Sequence, residues 1–187
     1  MKKNSVLALG VLCAALQVSA ESSLKVRVGA FIPQSSLFRE IYHTAGPLYE
    51  IEYAYRFCNH WDVWVNFDWF SASGKSVGLC NKTKIQLPNF SVGAKYAFLL
   101  CRAWEIYLGL GPTFGNVRLK NNSSVCGCEK VSKAAIGFVI KAGAQKNFCD
   151  RYFVDMFADY VFQRPIGFER STDLGGLRLG AGLGITF

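Results

Sequence analysis

From Leu177 to Phe187 the chain alternates without a break: Leu177, Leu179, Ala181, Leu183, Ile185 and Phe187 are apolar, and Arg178, Gly180, Gly182, Gly184 and Thr186 stand between them. Successive side chains of a strand point to opposite faces, so this segment has one apolar face and one that is small or polar. A period of two is incompatible with an amphipathic helix, whose apolar residues recur every three to four positions. The segment is a strand, and the rest of the chain repeats its pattern.

Seven further runs alternate in the same way. The first, Leu24 to Ile32, sets Leu24, Val26, Val28, Ala30 and Ile32 against Lys25 and Arg27. The second, Leu48 to Phe57, sets Tyr49, Ile51, Tyr53, Tyr55 and Phe57 against Glu50, Glu52 and Arg56. In the third, Trp61 to Phe70, the apolar residues Trp61, Val63, Val65, Phe67 and Trp69 oppose Asp62, Asn66 and Asp68. The fourth runs from Ile85 to Phe98 with Lys95 on its polar face, and the fifth from Ala103 to Phe114 with Glu105 and Tyr107. The sixth, Lys133 to Gln145, carries Lys141, and the seventh, Tyr152 to Phe162, carries Asp155 and Asp159. The connections alternate too. Those near Cys58–His60, Leu99–Arg102 and Asn147–Asp150 are tight, whereas Pro33–Pro47, Ser71–Lys84, Gly115–Ser132 and Gln163–Asp173 are long.

The amino terminus reads separately. Lys2 and Lys3 precede an apolar run from Val6 to Leu16, followed by Val18–Ser19–Ala20 with small residues at the positions a signal peptidase requires. Residues 1–20 are expected to be a cleaved signal peptide and residues 21–187 a single domain. Once Lys2 and Lys3 are gone, 19 bases remain against 13 acids, a net charge of +6. No later stretch holds the ~18 consecutive apolar residues of a membrane helix. Yet 51% of the chain is hydrophobic and 14% aromatic, a composition that favours strands.

A closing strand that stops on Phe187 resembles that of bacterial outer-membrane β-barrels, in which the terminal aromatic forms part of the signal read by the barrel assembly machinery. Short turns alternating with long loops fit the same family, and the eight runs imply an all-β, eight-stranded antiparallel up-and-down transmembrane barrel. Trp61, Trp69, Phe98, Trp104, Phe114, Tyr152 and Phe162 crowd the strand ends, as interfacial girdles do. The resemblance implies export, an outer-membrane location in a Gram-negative envelope, and contact with outer-membrane lipid and lipopolysaccharide. Alternation alone leaves open a soluble, secreted lipocalin-like barrel, which has the same strand count with its apolar face inside.

On the membrane reading the inward faces carry the acids Glu50, Glu52, Asp62, Asp68, Glu105, Asp155 and Asp159 and the bases Lys25, Arg27, Arg56, Lys95, Lys141 and Arg178. Such near-balance fits charges paired across a closed lumen, since an unpaired buried charge costs several kcal/mol. A narrow ion-conducting pore through the same network is the alternative. Catalysis is not expected. A charged lumen leaves no apolar hole for an acyl chain, and the two histidines, His43 and His60, fall in connections rather than on strands. No cofactor is implied, and a pI of about 9.2 is the sole feature that would suit nucleic acid.

Six cysteines follow the signal peptide, in a compartment that permits disulfides. Cys58, Cys101 and Cys149 fall in the short turns; Cys80, Cys126 and Cys128 fall in two long loops. Bridged cysteines need Cα atoms within ~7 Å, and an apolar band of ~25 Å would separate the two sets. Three thiols on each side leave at least one per side without an internal partner. The pattern resembles envelopes whose outer-membrane proteins are cross-linked by disulfides, and it implies a structural barrel with other cysteine-rich envelope proteins as partners. Three thiolates at Cys80, Cys126 and Cys128 are too sparse a motif to assign a metal. Basic residues gather in the loops, with Lys75, Lys82 and Lys84 in one and Arg118, Lys120 and Lys130 in another, a charge suited to lipopolysaccharide or acidic glycans.

Overall fold

Valine, isoleucine and aromatic residues at every second position make extended backbone the economical conformation along most of the chain. A computed structural model describes residues 21–42, 44–75, 82–101, 103–123, 127–148, 151–166 and 173–187. Its strands are β1 (Glu21–Pro33), β2 (Gly46–Cys58), β3 (Trp61–Lys75), β4 (Lys82–Cys101), β5 (Trp104–Ser123), β6 (Gly127–Asn147), β7 (Tyr152–Pro165) and β8 (Gly176–Thr186). Each pairs antiparallel with its sequence neighbours, and β1 pairs with β8 from Ser23↔Thr186 to Pro33↔Gly176. The sheet closes, so the barrel has no free edge.

The pleat sorts the residues as their alternation requires. Val26, Ile51, Phe67, Leu110, Ile140 and Leu183 are exposed on the outside, while Lys25, Arg27, Glu52, Lys95, Lys141 and Asp155 are fully or almost fully buried inside. An apolar exterior around a polar interior is the reverse of a soluble ligand-binding barrel, whose polar face meets water.

The structure differs from the sequence reading at one rim. Ser71–Lys84 and Gly115–Ser132 were expected to be loops, but β3 runs on to Lys75, β4 begins at Lys82, β5 reaches Ser123 and β6 begins at Gly127. Alternation persists there in a weaker form, with Ile85, Leu87 and Val117 buried and Lys84, Arg118 and Lys120 exposed. Short polar residues between the apolar ones hid the period. In place of a bare Pro33–Pro47 loop, a short helix, α1 (Ser36–Tyr42), lies over this rim. Ser35 accepts a hydrogen bond from the Phe38 amide at 3.4 Å at the start of α1. Residues 1–20, the expected signal peptide, lie outside the described residues.

Candidate functional site in the barrel interior

The interior is stacked in three layers from the rim of short turns to the rim of long hairpins. At the turn rim Arg56 bridges two acids: its Nε donates to Asp62 Oδ1 at 2.8 Å, and its Nη2 donates to Glu105 Oε1 at 2.8 Å. These groups line a cavity of about 100 Å³ with Glu21, Gln145 and Asn147. This mouth is polar and roomy enough for water.

The middle layer is dry and more tightly paired. Glu52, fully buried, meets four cations: Lys141 Nζ at 2.6 Å, Arg27 Nη1 and Lys95 Nζ each at 2.9 Å, and Lys25 Nζ at 3.1 Å. Glu50 takes Arg27 Nη1 at 2.7 Å and Lys141 Nζ at 2.8 Å. From β7, Asp155 lies 2.7 Å from Arg27 Nε, and Asp159 lies 3.5 Å from Lys141 Nζ. Four bases thus face four acids. Two aromatics fill the gaps: Tyr107 accepts from Arg27 Nη2 at 2.9 Å, and Lys141 Nζ sits 4.6 Å above the Trp64 ring, a favourable cation–π distance. Glycines on the inner face make the room. A Cβ at Gly182 would lie 2.7 Å from Arg27 Cγ, and one at Gly143 would strike the Tyr107 hydroxyl.

A narrower polar set sits above. Arg178 Nη1 donates to Asp68 at 2.7 Å, Asn89 donates to Asp68 at 2.8 Å, and Gln163 donates to Asn89 at 2.9 Å. The third layer is apolar. Phe31, Phe38, Tyr42, Leu48, Phe70, Ile85, Leu87 and Val117 form one buried cluster beneath α1. Phe31 and Phe70 pack edge to face with centroids 5.0 Å apart, and Tyr42 of α1 is tied to Thr83 by a hydroxyl hydrogen bond of 2.9 Å. Burial pushes the Tyr42 hydroxyl above its ordinary pKa, with the Thr83 bond opposing the shift. Between this plug and Arg178 lies a cavity of about 10 Å³, which is at the lower limit for one water.

The sequence-predicted charges therefore fall into three groups. Lys25, Arg27, Glu50, Glu52, Lys95, Lys141, Asp155 and Asp159 meet in one cluster; Asp68 pairs with Arg178; and Arg56, Asp62 and Glu105 form a set at the turn rim, joined to the cluster where Lys95 Nζ lies 3.7 Å from Asp62. Tyr107 was expected on the inner face; Trp64 and the whole apolar plug were not foreseen. Their signal was present, since Leu48, Phe70 and Leu87 share the parity of Glu50, Asp68 and Asn89, so the inner face turns apolar toward one end.

The remaining candidates are scattered. Cys58 and Cys101 are exposed free thiols at the turn rim. Cys80, Cys126 and Cys149 lie outside the described residues, and Cys128 is described through its backbone, opposite Asn122. His60 stacks on Tyr96 with centroids 5.5 Å apart, whereas His43 is outside the described residues. Phe187 exchanges backbone hydrogen bonds of 2.8 and 2.9 Å with Ser22 and leaves its ring exposed.

Three comparisons bear on this architecture. The family whose model matches, over residues 5–187, is described as "Outer membrane protein beta-barrel domain". Ail, the attachment invasion locus protein of Yersinia pestis, solved with the heparin analogue sucrose octasulfate, shares 17% identity at a TM-score of 0.62, covering 91% of this chain and 100% of its own. Neisserial surface protein A shares 18% at 0.61, over 90% of this chain and 96% of that one. OprG of Pseudomonas aeruginosa shares 12% at 0.68, again over 90% and 96%. Curated proteins gave no match. At such identities the structural likeness speaks for the fold alone.

Proposed function

The chain belongs to the outer membrane protein β-barrel domain family and sits in the bacterial outer membrane, and from that premise we propose that it is a closed, non-conducting barrel with a structural role in the envelope. One observation carries this reading. The ion-paired layer around Glu52 lies beneath an apolar plug, with about 10 Å³ of free space near their junction. A hydrated ion crossing this lumen would have to break buried ion pairs and then pass the aromatic side chains under α1. An eight-stranded barrel is narrow enough for its own side chains to fill it.

The exposed thiols of Cys58 and Cys101 support a second part of the proposal. Short turns of such barrels face the periplasm, so both thiols would be available there to cysteine-rich neighbours. The same reading assigns the protein no catalytic role, since its inward charged groups are paired with one another. Its surroundings are outer-membrane lipid and lipopolysaccharide, and its insertion would depend on the barrel assembly machinery.

The test has two readouts. Purified barrel added to a planar bilayer should give no discrete current steps, and steady open-channel conductance would overturn the closed-lumen reading. In native envelopes run without reductant, the protein should migrate in high-mass complexes that Cys58→Ser and Cys101→Ser diminish. A free monomer under those conditions would remove the cross-linking role.

A further inference from the structure

The hairpins that extend β3 to β6 carry a charge pattern that the lumen does not explain. In the register of these strands Lys84 lies directly opposite Lys120, and Lys120 directly opposite Lys130. The row one step farther out pairs Lys75 with Lys82, and the row one step nearer the barrel holds Arg118 opposite Gln86 and Ser132. Across these three rows and four strands the twelve register positions hold six bases and no acid. Lys84, Arg118 and Lys120 are exposed on the barrel's outer face. Glu129 stands in the alternate row, opposite Asn121. Like charges placed directly across a ladder repel one another, so the pattern works against the fold unless an anion sits between them.

Its position says which anion. The last exposed apolar row on this side is Phe90–Phe114–Ile136, and the lysine row lies six residues beyond Phe90 along β4. That is ~20 Å along the strand and about 15 Å along the membrane normal at the usual tilt. The face looks sideways, along the membrane, on the same side of the sheet as the lipid-facing residues. A molecule arriving from solution would meet the hairpin tips first, whereas a lipid with a tall, phosphorylated saccharide headgroup would lie flat against this wall.

We propose that the outer face of the β3–β6 wall is a binding site for the phosphorylated headgroup of neighbouring glycolipid molecules in the outer leaflet. Lys84 and Lys120 straddle a phosphate group, and Arg118, one row nearer the membrane, offers a planar donor fork to an oxyanion. Such binding would give the barrel a collar of lipid on one side. It requires the outer-membrane location but is independent of whether the lumen is closed.

The experiment compares wild-type barrel with the triple variant Lys84→Ser, Arg118→Ser and Lys120→Ser in phosphatidylcholine nanodiscs, doped with lipopolysaccharide or with dephosphorylated lipopolysaccharide. Glycolipid retained per barrel is measured through repeated exchange, and altered mobility of unboiled protein on a gel verifies folding. Removing repelling charges should leave the fold intact. At roughly fivefold per lost basic contact, the triple variant should retain lipopolysaccharide about 100-fold more weakly. Wild type on dephosphorylated lipid should behave like the variant, and Lys146→Ser, at the opposite rim, should behave like wild type. Lys120→Glu alone should lower retention and weaken its loss in salt. Unchanged retention in the triple variant, or an equal drop in Lys146→Ser, would overturn the proposal. So would a defect confined to soluble heparin, which would reassign the wall to sulfated glycans.

Discussion

Glu52 is where the interior is most exposed to a single change. Its carboxylate touches four buried cations at 2.6–3.1 Å. Replacing it by Gln keeps the shape, removes the charge and turns amide hydrogens toward groups that are already donors. The four bases then face three acids in a space that water does not reach. Removing one partner of a buried pair costs ~3–5 kcal/mol net, and four coordinated cations place Glu52→Gln at the upper end of that range. The contrast is Glu105→Gln. Arg56 keeps Asp62 at 2.8 Å, and the site borders the cavity of about 100 Å³ at the turn rim, so the loss should be ~1 kcal/mol. Reversible urea unfolding of the barrel in lipid vesicles reads both numbers. Adding Lys141→Met to Glu52→Gln should recover at least ~1 kcal/mol, because three bases then face three acids while Met still packs on Trp64. A Glu52→Gln barrel within ~1 kcal/mol of wild type, or no weaker than Glu105→Gln, would refute the claim that this layer is dry and mutually dependent.

On the outside, Leu110→Arg should destabilise the barrel by ~2–4 kcal/mol near the bilayer midplane, measured by the same unfolding assay against Leu110→Ala. Gly182→Leu should cost ~1–3 kcal/mol through overpacking, because its first carbon already lies 2.7 Å from Arg27 Cγ; an unchanged midpoint would mean that Arg27 has room to move. Tyr42 supplies a pH dependence. Its raised pKa means that its contribution is intact below the ordinary value of 10.0 and is lost as pH rises through the folded value, above 10. Hydrogen exchange of α1 amides should therefore accelerate in alkali in wild type and lose that step in Tyr42→Phe.

Strand number and the sorting of residues onto two faces were legible because each rests on a period of two that survives across whole strands, as in Trp61 to Phe70, whereas which face turns inward rested on the resemblance carried by the closing strand and the aromatic girdles. The thirteen lumen charges could be placed on a face for the same reason, yet nothing in one strand says which residue of another it will meet. Glu52 became the centre of the cluster through the stagger of β1, β4 and β6 around it. The plug escaped notice because Phe31, Leu48 and Leu87 sit on a face otherwise marked polar by Arg27, Glu50 and Asn89. A change of character along one face reads as noise until neighbouring strands are aligned. Helix α1 was missed because seven residues hold too few turns to show a helical period.

The seam between β1 and β8 sets the timing of folding. Ser23 pairs with Thr186, and closing that contact spans nearly the whole described chain. Ordering so long a loop is slow relative to forming the local hairpins. Arg27 reaches its partners on β2, β5 and β7 together once the seam is shut. An open sheet would instead carry Lys25, Arg27, Glu52 and Lys141 into hydrocarbon without their counter-charges. Zipping of the seam and passage into the bilayer are therefore expected to be coupled: a kinetic trace of insertion should show protection of the Arg27 and Asp155 amides arriving in one phase with closure of the β1–β8 ladder.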